Sequence, residues 1–216
     1  MLKLYDYWRS SAAYRVRIGL NLKGVAYESI PVNIAPGVDE QFGQAYRAIN
    51  PQMRVPALET AQGLITQSLS ILVWLDQTYP EPRLMPADPF LGAQVRSFAT
   101  TIATDIHPLN NTSVLTRLKL EFGASEEHIG EWYRHWIKLG FAALEAQVAH
   151  HGDTPYVFGD EPTLADVMLA PQMVNARRFK TDLSPFPRLA AWDENARKHP
   201  AFIKAAPENQ KDAVKA

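Results

Sequence analysis

The sequence predicts two domains of different class, an N-terminal α/β domain followed by an all-helical domain. Short β-type segments separated by helical or loop material occupy residues 1–80. Four prolines then fall within residues 80–89, where they remove backbone donors and disfavour helix in the residues before them. Beyond them almost every segment has helical periodicity. We therefore expect an α/β domain at 1–80, a Pro-rich linker at 81–89 and a helical domain at 90–216.

The N-terminal domain is predicted to contain four short strands. Each run is rich in β-branched or aromatic residues and lies between turn or helix signals. The runs are Lys3–Trp8, Tyr27–Val32, Val55–Glu59 and Leu64–Thr66. A helix is predicted at 67–79, where apolar residues recur at helical spacing.

The segment 14–22 is ambiguous on pattern alone. Its apolar residues alternate strictly with polar residues or glycine, which favours a strand with one buried face. These apolar residues are Tyr14, Val16, Ile18, Leu20 and Leu22. On a helix they would occupy two opposed faces, which requires burial between two layers. The pattern leaves both alternatives open.

Start signals divide the C-terminal domain into helices. Asp88-Pro89 offers an N-cap followed by proline at the first helical position. Ser125 precedes two acidic residues that suit the helix dipole, and an apolar stripe follows along 129–148. Thr163 and Asp166 have the spacing of a capping box, and a further helix should follow Pro187. The last ten or so residues are polar, and we expect them to fray.

Composition indicates an ordinary soluble protein and argues against several kinds of partner. Of 216 residues, 46% are hydrophobic and 21% are charged, with a net charge of −1, so we expect no nucleic-acid or membrane partner. The chain begins without signal-peptide features and contains no cysteine, so we expect a cytoplasmic protein without disulfides. The six histidines show no metal-ligand spacing, so we expect no metal site.

The segment Trp8–Arg17 combines two serine hydroxyls with three guanidinium groups. If Ser10 or Ser11 opens a helix, its hydroxyl and the nearby N–H groups form an anion-binding corner. Such a corner suits a thiolate, a carboxylate or a phosphate. Because the chain has no cysteine, a thiolate held there must arrive on a ligand. Spacing alone favours an ordinary N-cap pair over a binding site.

The run Ser10-Ser11-x-x-Tyr14-Arg15-Val16-Arg17-Ile18 resembles the active-site motif of zeta-class glutathione transferases, the maleylacetoacetate isomerases. Further similar segments cover nearly the whole chain: 48–51, 55–58, 67–68, 105–111, 175–179 and 181–187. Through 105–111 the chain is also similar to bacterial maleylpyruvate isomerases. The resemblance implies a thioredoxin-like N-terminal domain and an all-helical C-terminal domain, assembled as a homodimer. It makes Ser11–Lys23 the first helix, packed between the sheet and the second domain.

The resemblance implies glutathione-dependent cis–trans isomerisation of a maleyl double bond, with glutathione as a recycled cosubstrate in aromatic amino-acid or aromatic compound catabolism. A free thiol is mostly protonated at neutral pH, so the protein must favour its anion. By resemblance Ser10 and Ser11 are catalytic, because they donate hydrogen bonds to the sulfur beside a helix N-terminus. Ala12 stands where the family often has cysteine, so no protein thiol contributes here.

The resemblance also implies further glutathione-binding residues. Val55-Pro56 resembles the cis-proline turn of thioredoxin-like domains, where the Val55 backbone pairs with the cysteinyl backbone. Gln67 and Ser68 begin a helix whose N–H groups and hydroxyl hold the γ-glutamyl carboxylate. The matching residues of the helical domain are His107, Asn110 and Asn111. The alternatives are a trans proline beside a strand, a plain helix cap and a structural histidine.

Substrate recognition requires cations, because maleyl keto acids carry two carboxylates that guanidinium forks bind bidentately. By resemblance Arg9 and Arg178 take this role and share in catalysis. Arg177 is a weaker candidate for substrate binding, since an adjacent helical residue points about 100° away. Thr112 and Ser113 stand where maleylpyruvate isomerases have a further arginine, which favours maleylacetoacetate as substrate.

Three other functions remain open from the sequence. One is maleylpyruvate isomerisation. Another is general glutathione transfer, in which the same thiolate conjugates or dehalogenates small α-halo acids. The last is a non-catalytic binding role on the same fold, because fold does not determine function.

Overall fold

The structure is a computed structural model that describes residues 1–214. The chain forms two compact units. The first unit contains Met1–Leu84 together with the segment that begins at Lys198, and the second contains Met85–Arg197. The sequence-based division assigned every residue from 90 onward to the second domain, so the terminal segment is where the two divisions differ.

A four-stranded mixed sheet forms the first unit, with the strand order β2-β1-β3-β4. The strands are β1 (Leu2–Asp6), β2 (Tyr27–Pro31), β3 (Ala57–Thr60) and β4 (Gly63–Thr66). β1 pairs in parallel with β2 and antiparallel with β3, which pairs antiparallel with β4. All four predicted strands are present, with their ends shifted by at most two residues.

Helices account for most of the remaining described chain. In order they are α1 (Ser11–Leu22), α2 (Gln44–Ile49), α3 (Ser68–Thr78), α4 (Pro89–Thr100), α5 (Thr112–Phe122), α6 (Glu126–Gln147), α7 (Leu164–Arg178), α8 (Pro187–Ala196) and α9 (Pro200–Ala205). Short 3-10 helices lie at Glu40–Phe42, Pro108–Asn110 and Pro207–Asn209, and a π-helical segment lies at Thr101–Ile106. Within residues 1–214, no helix is both long and apolar enough to cross a bilayer.

Helix α1 resolves the ambiguous segment in favour of a helix. Val16, Ile18 and Leu20 are all 0% exposed, although they lie on different sides of the helix. α1 packs against α3 and against α9, so more than one side of the helix is covered, as a helix with this alternating pattern requires. Helix α9, which the sequence placed in the second domain, belongs to the first unit.

The predicted helix starts of the second unit are confirmed. Asp88 Oδ1 accepts a hydrogen bond from Leu91 N at 2.7 Å, and Pro89 occupies the first turn of α4. Ser125 caps α6, and a reciprocal capping box formed by Thr163 and Asp166 opens α7. α4 packs against α7, and α8 packs against both α6 and α7. The core of this unit therefore lies among these four helices.

The expectation of a frayed terminus is wrong for residues 207–213. Gln210 Nε2 donates to Ala206 O at 2.8 Å, just beyond the 3-10 helix Pro207–Asn209. Asp212 Oδ2 accepts a hydrogen bond from Trp8 N at 3.2 Å. Polar composition predicted exposure, but these polar groups are used in hydrogen bonds that hold the segment on the first unit.

Candidate active site

The serine pair lies at the N-terminus of α1. Ser10 is the N-cap, with φ −70° and ψ 118°, and its Oγ accepts from Ala13 N at 3.2 Å. Ser11 is the first helical residue, and both serines are half-buried. A hydroxyl that accepts a capping bond keeps its own hydrogen for another partner. Capping and ligand binding are therefore compatible at Ser10, beside the positive end of the helix dipole.

Arg17 fixes the turn that precedes the serines. Its Nη1 donates to both carboxylate oxygens of Asp6 at 2.7 and 2.9 Å, and its Nη2 donates to Trp8 O at 2.9 Å. Arg17 is 0% exposed. Burial raises the pKa of the Asp6 carboxyl, while the adjacent Arg17 charge opposes that rise. The sequence places Arg17 in the serine motif but indicates no role for it. Its partner Asp6 lies 11 residues earlier, at the end of β1, and no local pattern predicts that the two residues pair.

Arg9 lies next to this turn and is exposed. Its guanidinium carbon lies 5.5 Å from the ring centroid of Trp8, within the range of a cation–π contact. The contact holds a positive charge directly before the serines, where an anionic ligand would benefit from it.

Two further predicted features lie in the first unit. The Val55–Pro56 peptide bond is cis, as predicted, and it immediately precedes β3. Gln67, at the N-cap of α3, has φ 70° and ψ 119°. A positive φ is uncommon outside glycine and occurs often at functional sites. Ser68 follows as the first residue of α3 and is 6% exposed.

The predicted amides of the second unit have different surroundings. Asn110 is 6% exposed, and its Nδ2 donates to Tyr133 O at 3.2 Å. Its Oδ1 is buried and has no hydrogen-bond partner within residues 1–214. Asn111 Oδ1 caps α5 by accepting from Ser113 N at 3.1 Å. The side-chain oxygen of Asn110 thus keeps its acceptor capacity, whereas that of Asn111 is used by the helix. His107 is half-buried just before them.

The adjacent arginines at the end of α7 have separate surroundings. Arg177 forms an ion pair with Asp193, a carboxylate that is 0% exposed and that Arg197 also contacts at 3.2 Å. Burial raises the pKa of Asp193, and Arg177 opposes that rise. Arg178 is exposed, with its guanidinium carbon 5.5 Å from the Phe179 ring centroid. Arg177 therefore serves the packing of α7 on α8, and Arg178 is the better substrate candidate.

Possible metal-ligating side chains do not cluster in the part of the chain that the structure describes. No group of three or more histidine, aspartate or glutamate side chains lies close enough there to hold an ion. The donors that converge on the serine turn are instead hydroxyls, backbone N–H groups and guanidiniums, a set that suits anions.

Comparison with known proteins matches both parts of the chain to one family. Residues 4–83 match the glutathione S-transferase N-terminal domain, and residues 130–192 match the glutathione S-transferase C-terminal domain. A maleylpyruvate isomerase from Ralstonia sp is 45% identical over 214 residues, which is 99% of this chain and 100% of that protein. A maleylacetoacetate isomerase from Pseudomonas aeruginosa is 45% identical over 212 residues, 98% of each chain.

Solved structures give the same result. A holo maleylpyruvate isomerase, described as a bacterial zeta-class glutathione S-transferase, has a TM-score of 0.95 and 45% identity and covers 98% of this chain and 100% of its own. A maleylacetoacetate isomerase from Anaeromyxobacter dehalogenans with glutathione in its active site has a TM-score of 0.88 and 43% identity. The match covers 99% of this chain and 98% of that chain. The thioredoxin-like and all-helical fold is thereby confirmed. The chain belongs to the zeta class of the glutathione S-transferase family, together with the maleylacetoacetate and maleylpyruvate isomerases.

Proposed function

We propose that this chain is a glutathione-dependent cis–trans isomerase of maleyl keto acids, with maleylacetoacetate as its substrate. The observation that carries the proposal is the Ser10-capped N-terminus of α1 in a chain without cysteine. Such a corner suits an external thiolate. The relatives named above support the proposal, since both isomerase activities occur among them at the same identity of 45%.

The chain's own residues stabilise charge in this reaction. Bound glutathione supplies a thiolate that adds reversibly to the alkene, so that the carbon–carbon bond can rotate before the sulfur leaves. Ser10 and Ser11 donate hydrogen bonds to that sulfur, and the α1 dipole adds positive potential. Arg17 holds the carbonyl of Trp8 at 2.9 Å, so the hydroxyls need little reorganisation when charge changes.

The glutathione-binding residues that the family resemblance implies are proposed here for each unit by itself. The Val55 backbone pairs with its cysteinyl backbone beside Pro56. The N-terminus of α3, at Gln67 and Ser68, takes the γ-glutamyl carboxylate. In the second unit the contacts are His107, Asn110 and Asn111, among which Asn110 has an acceptor oxygen that is unused in the described chain.

Arg9 and Arg178 bind the two carboxylates of the substrate. A relative supports this chemistry: the Anaeromyxobacter dehalogenans isomerase has also been solved with dicarboxyethyl glutathione and citrate in its active site. Thr112 and Ser113 open α5 in place of the arginine expected of maleylpyruvate isomerases, which favours maleylacetoacetate. We further propose a cytoplasmic homodimer that acts in aromatic amino-acid or aromatic compound catabolism.

The test is a product analysis with the purified full-length chain. Maleylacetoacetate and maleylpyruvate are each supplied with and without glutathione, and the fumaryl product and total glutathione are measured. We expect fumaryl product only with glutathione, whose amount stays constant. If neither maleylacetoacetate nor maleylpyruvate is isomerised in the presence of glutathione, the proposal is contradicted. Stoichiometric loss of glutathione with an α-halo acid, and no isomerisation, would favour the transferase alternative.

A further inference from the structure

A second arginine of the serine motif is buried away from the serine turn. Arg15 lies on α1 and is 1% exposed, and it is among the largest fully buried side chains of the chain. Removing a guanidinium from water is costly, so arginine is rarely buried this completely. The charge of Arg15 therefore acts inside the first unit, where the surrounding protein screens it less than water would.

Arg15 contacts the start of α3. Its Nη1 donates a hydrogen bond to Ser68 Oγ at 3.4 Å. Ser68 is the first residue of that helix and is itself only 6% exposed. A buried cation and the positive end of the α3 dipole thus lie at the same place.

The direction of this hydrogen bond determines what the serine can do. A guanidinium has donors and no acceptor, so Ser68 Oγ must accept. A hydroxyl carries a single hydrogen, and one that accepts from Arg15 keeps that hydrogen to donate onward. Accepting from a charged donor also polarises the hydroxyl and strengthens the bond it donates. Ser68 is therefore prepared as a donor to an anion.

We propose that Arg15 is a positioning residue for glutathione. Acting through Ser68, it orients the hydroxyl toward the γ-glutamyl carboxylate and adds its buried charge to that subsite, without touching the ligand. The inference rests on the proposed function and deepens it, because it explains why the carboxylate is bound at α3. Gln67, held at φ 70° immediately before Ser68, borders the same subsite.

The proposal differs from a purely structural role in its ligand dependence. If Arg15 only supports the packing of α1 on α3, its replacement weakens every ligand of the site equally. If it acts on the carboxylate, its replacement weakens only ligands that carry this carboxylate. A glutathione analogue in which the γ-glutamyl unit is replaced by γ-aminobutyryl lacks that group and keeps the thiol.

The experiment measures dissociation constants of glutathione and of this analogue by titration calorimetry on the full-length chain. We expect Arg15→Met to weaken glutathione binding about tenfold or more and to change analogue binding less than about twofold. Arg15→Lys, which keeps the charge without the planar fork, should give an intermediate loss. In a Ser68→Ala background, Arg15→Met should cost less than in the wild-type background, because the contribution made through the hydroxyl is already lost and only that of the charge remains.

The control is Arg83→Met, which removes an exposed arginine paired with Glu81 at 3.4 Å and should leave both constants unchanged. Arg15→Lys serves where Arg15→Met does not fold, as judged by circular dichroism. Equal weakening of both ligands, or unchanged glutathione binding by a folded variant, would overturn the inference alone. A wild-type protein that binds no glutathione would overturn the proposed function as well.

Discussion

The Ser10 hydroxyl has one hydrogen and two lone pairs, and the structure uses one lone pair to cap α1, with Ala13 N at 3.2 Å. Its hydrogen can therefore be donated to sulfur without breaking the cap. Ser11, as the first helical residue, is placed beside backbone N–H groups that have no partner within the helix. Ser10 therefore connects helix stability with ligand binding.

We expect Ser10→Ala and Ser11→Ala each to raise the pKa of the bound glutathione thiol, because each removes a hydrogen-bond donor to the thiolate. The larger of the two effects on kcat should reach about a hundredfold, as for loss of one oxyanion donor. Ser10→Ala should in addition destabilise the chain by about 1 kcal/mol through the lost cap. The thiol pKa is read from ultraviolet thiolate absorbance against pH.

The matched control for this prediction is Ser184→Ala, which removes an exposed serine hydroxyl from the second unit. Its kcat and thiol pKa should match those of the wild type. If both active-site variants keep the wild-type thiol pKa, the serines do not stabilise the thiolate.

Arg177 and Arg178 are expected to give opposite phenotypes although they are adjacent. Arg178→Lys should raise KM for the maleyl substrate about tenfold, because lysine cannot form a bidentate pair. Arg177→Met should lower the free energy of unfolding by about 1–3 kcal/mol, because it removes a half-exposed partner of the buried Asp193 carboxylate. Steady-state kinetics and urea unfolding separate the two effects.

Arg117→Lys is the control for the kinetic arm, since Arg117 is exposed on α5 and pairs with Glu121 at 2.9 Å. Its KM should equal that of the wild type. An Arg178→Lys enzyme with unchanged KM would contradict substrate binding by Arg178.

Residue roles were predictable from the sequence only where chemistry and spacing coincide. The capping role of Ser10 could be predicted from its residue type and from its position just before an apolar segment. The distinction between Arg177 and Arg178 could not be predicted, because it depends on Asp193, a residue of the next helix. The same holds for Arg17, whose partner Asp6 lies on a strand.

At the scale of elements, α1 shows why periodicity alone is insufficient. Strict alternation indicates a strand because one face is usually solvated. In α1 the residues on both sides are buried, and α3 and α9 are among the elements packed against it, so the solvated face that makes helical periodicity visible is absent. Burial on two sides is a tertiary property, and only a family resemblance could supply it in advance.

The α7 capping box makes stability depend on pH. Asp166 accepts hydrogen bonds from Val157 N at 2.9 Å and from Thr163 N at 2.8 Å, yet burial, the largest effect, raises its pKa from 3.8 to about 6. The folded state therefore binds this proton more tightly than the unfolded state. The contribution of Asp166 to the unfolding free energy is greatest below its unfolded pKa and declines as pH rises through 4 to 6.

The decline corresponds to about 3 kcal/mol for the rise of the Asp166 pKa to about 6. Asp166→Asn does not titrate and provides the reference. We expect the unfolding free energy of the wild type minus that of the variant to decrease between about pH 4 and pH 7, in urea titrations at fixed protein concentration. A difference that stays constant or increases with pH would show that the carboxyl is not protonated more readily in the folded state.

Close packing of α6 on the π-helical segment leads to a prediction at Gly140. A Cβ built there would lie 2.3 Å from both Cδ1 and Cγ1 of Ile106, which is 0% exposed. Gly140→Ala should therefore destabilise the chain by about 1–3 kcal/mol, despite the higher helix propensity of alanine. Thermal and urea unfolding measure this change.

Gly152→Ala is the control, because no atom beyond its own chain neighbours lies within 4 Å of its added Cβ. Its stability should stay within about 0.5 kcal/mol of the wild type. The double variant Gly140→Ala with Ile106→Ala should be less destabilised than the sum of the single variants, because the two side chains compete for one space. Additive losses would mean that Ile106 is not the side chain that limits the space at position 140.

At the scale of the whole molecule, the chain returns to its first unit after completing its second. The segment that begins at Lys198 belongs with residues 1–84. Arg17 Nε donates to Ala205 O at 2.9 Å, and Asn21 Nδ2 donates to Ala201 O at 3.1 Å. The first change of unit, between Leu84 and Met85, falls within the Pro-rich segment 81–89. The second change of unit, at Lys198, has no compositional signal. It depends on contacts between residues from opposite ends of the sequence, which no local pattern reveals.

This return predicts that the α9 core residue Phe202 stabilises the first unit. Phe202 is 0% exposed, and its carbonyl accepts from Tyr14 Oη at 3.4 Å on α1. Phe202→Ala should cost about 3–5 kcal/mol of unfolding free energy and should accelerate amide hydrogen exchange in α1 more than in α7, which belongs to the second unit. Ile203→Ala, next along the same helix at 47% exposed, should cost less than about 1 kcal/mol. Faster exchange confined to α7 in the Phe202 variant would contradict the assignment of α9 to the first unit.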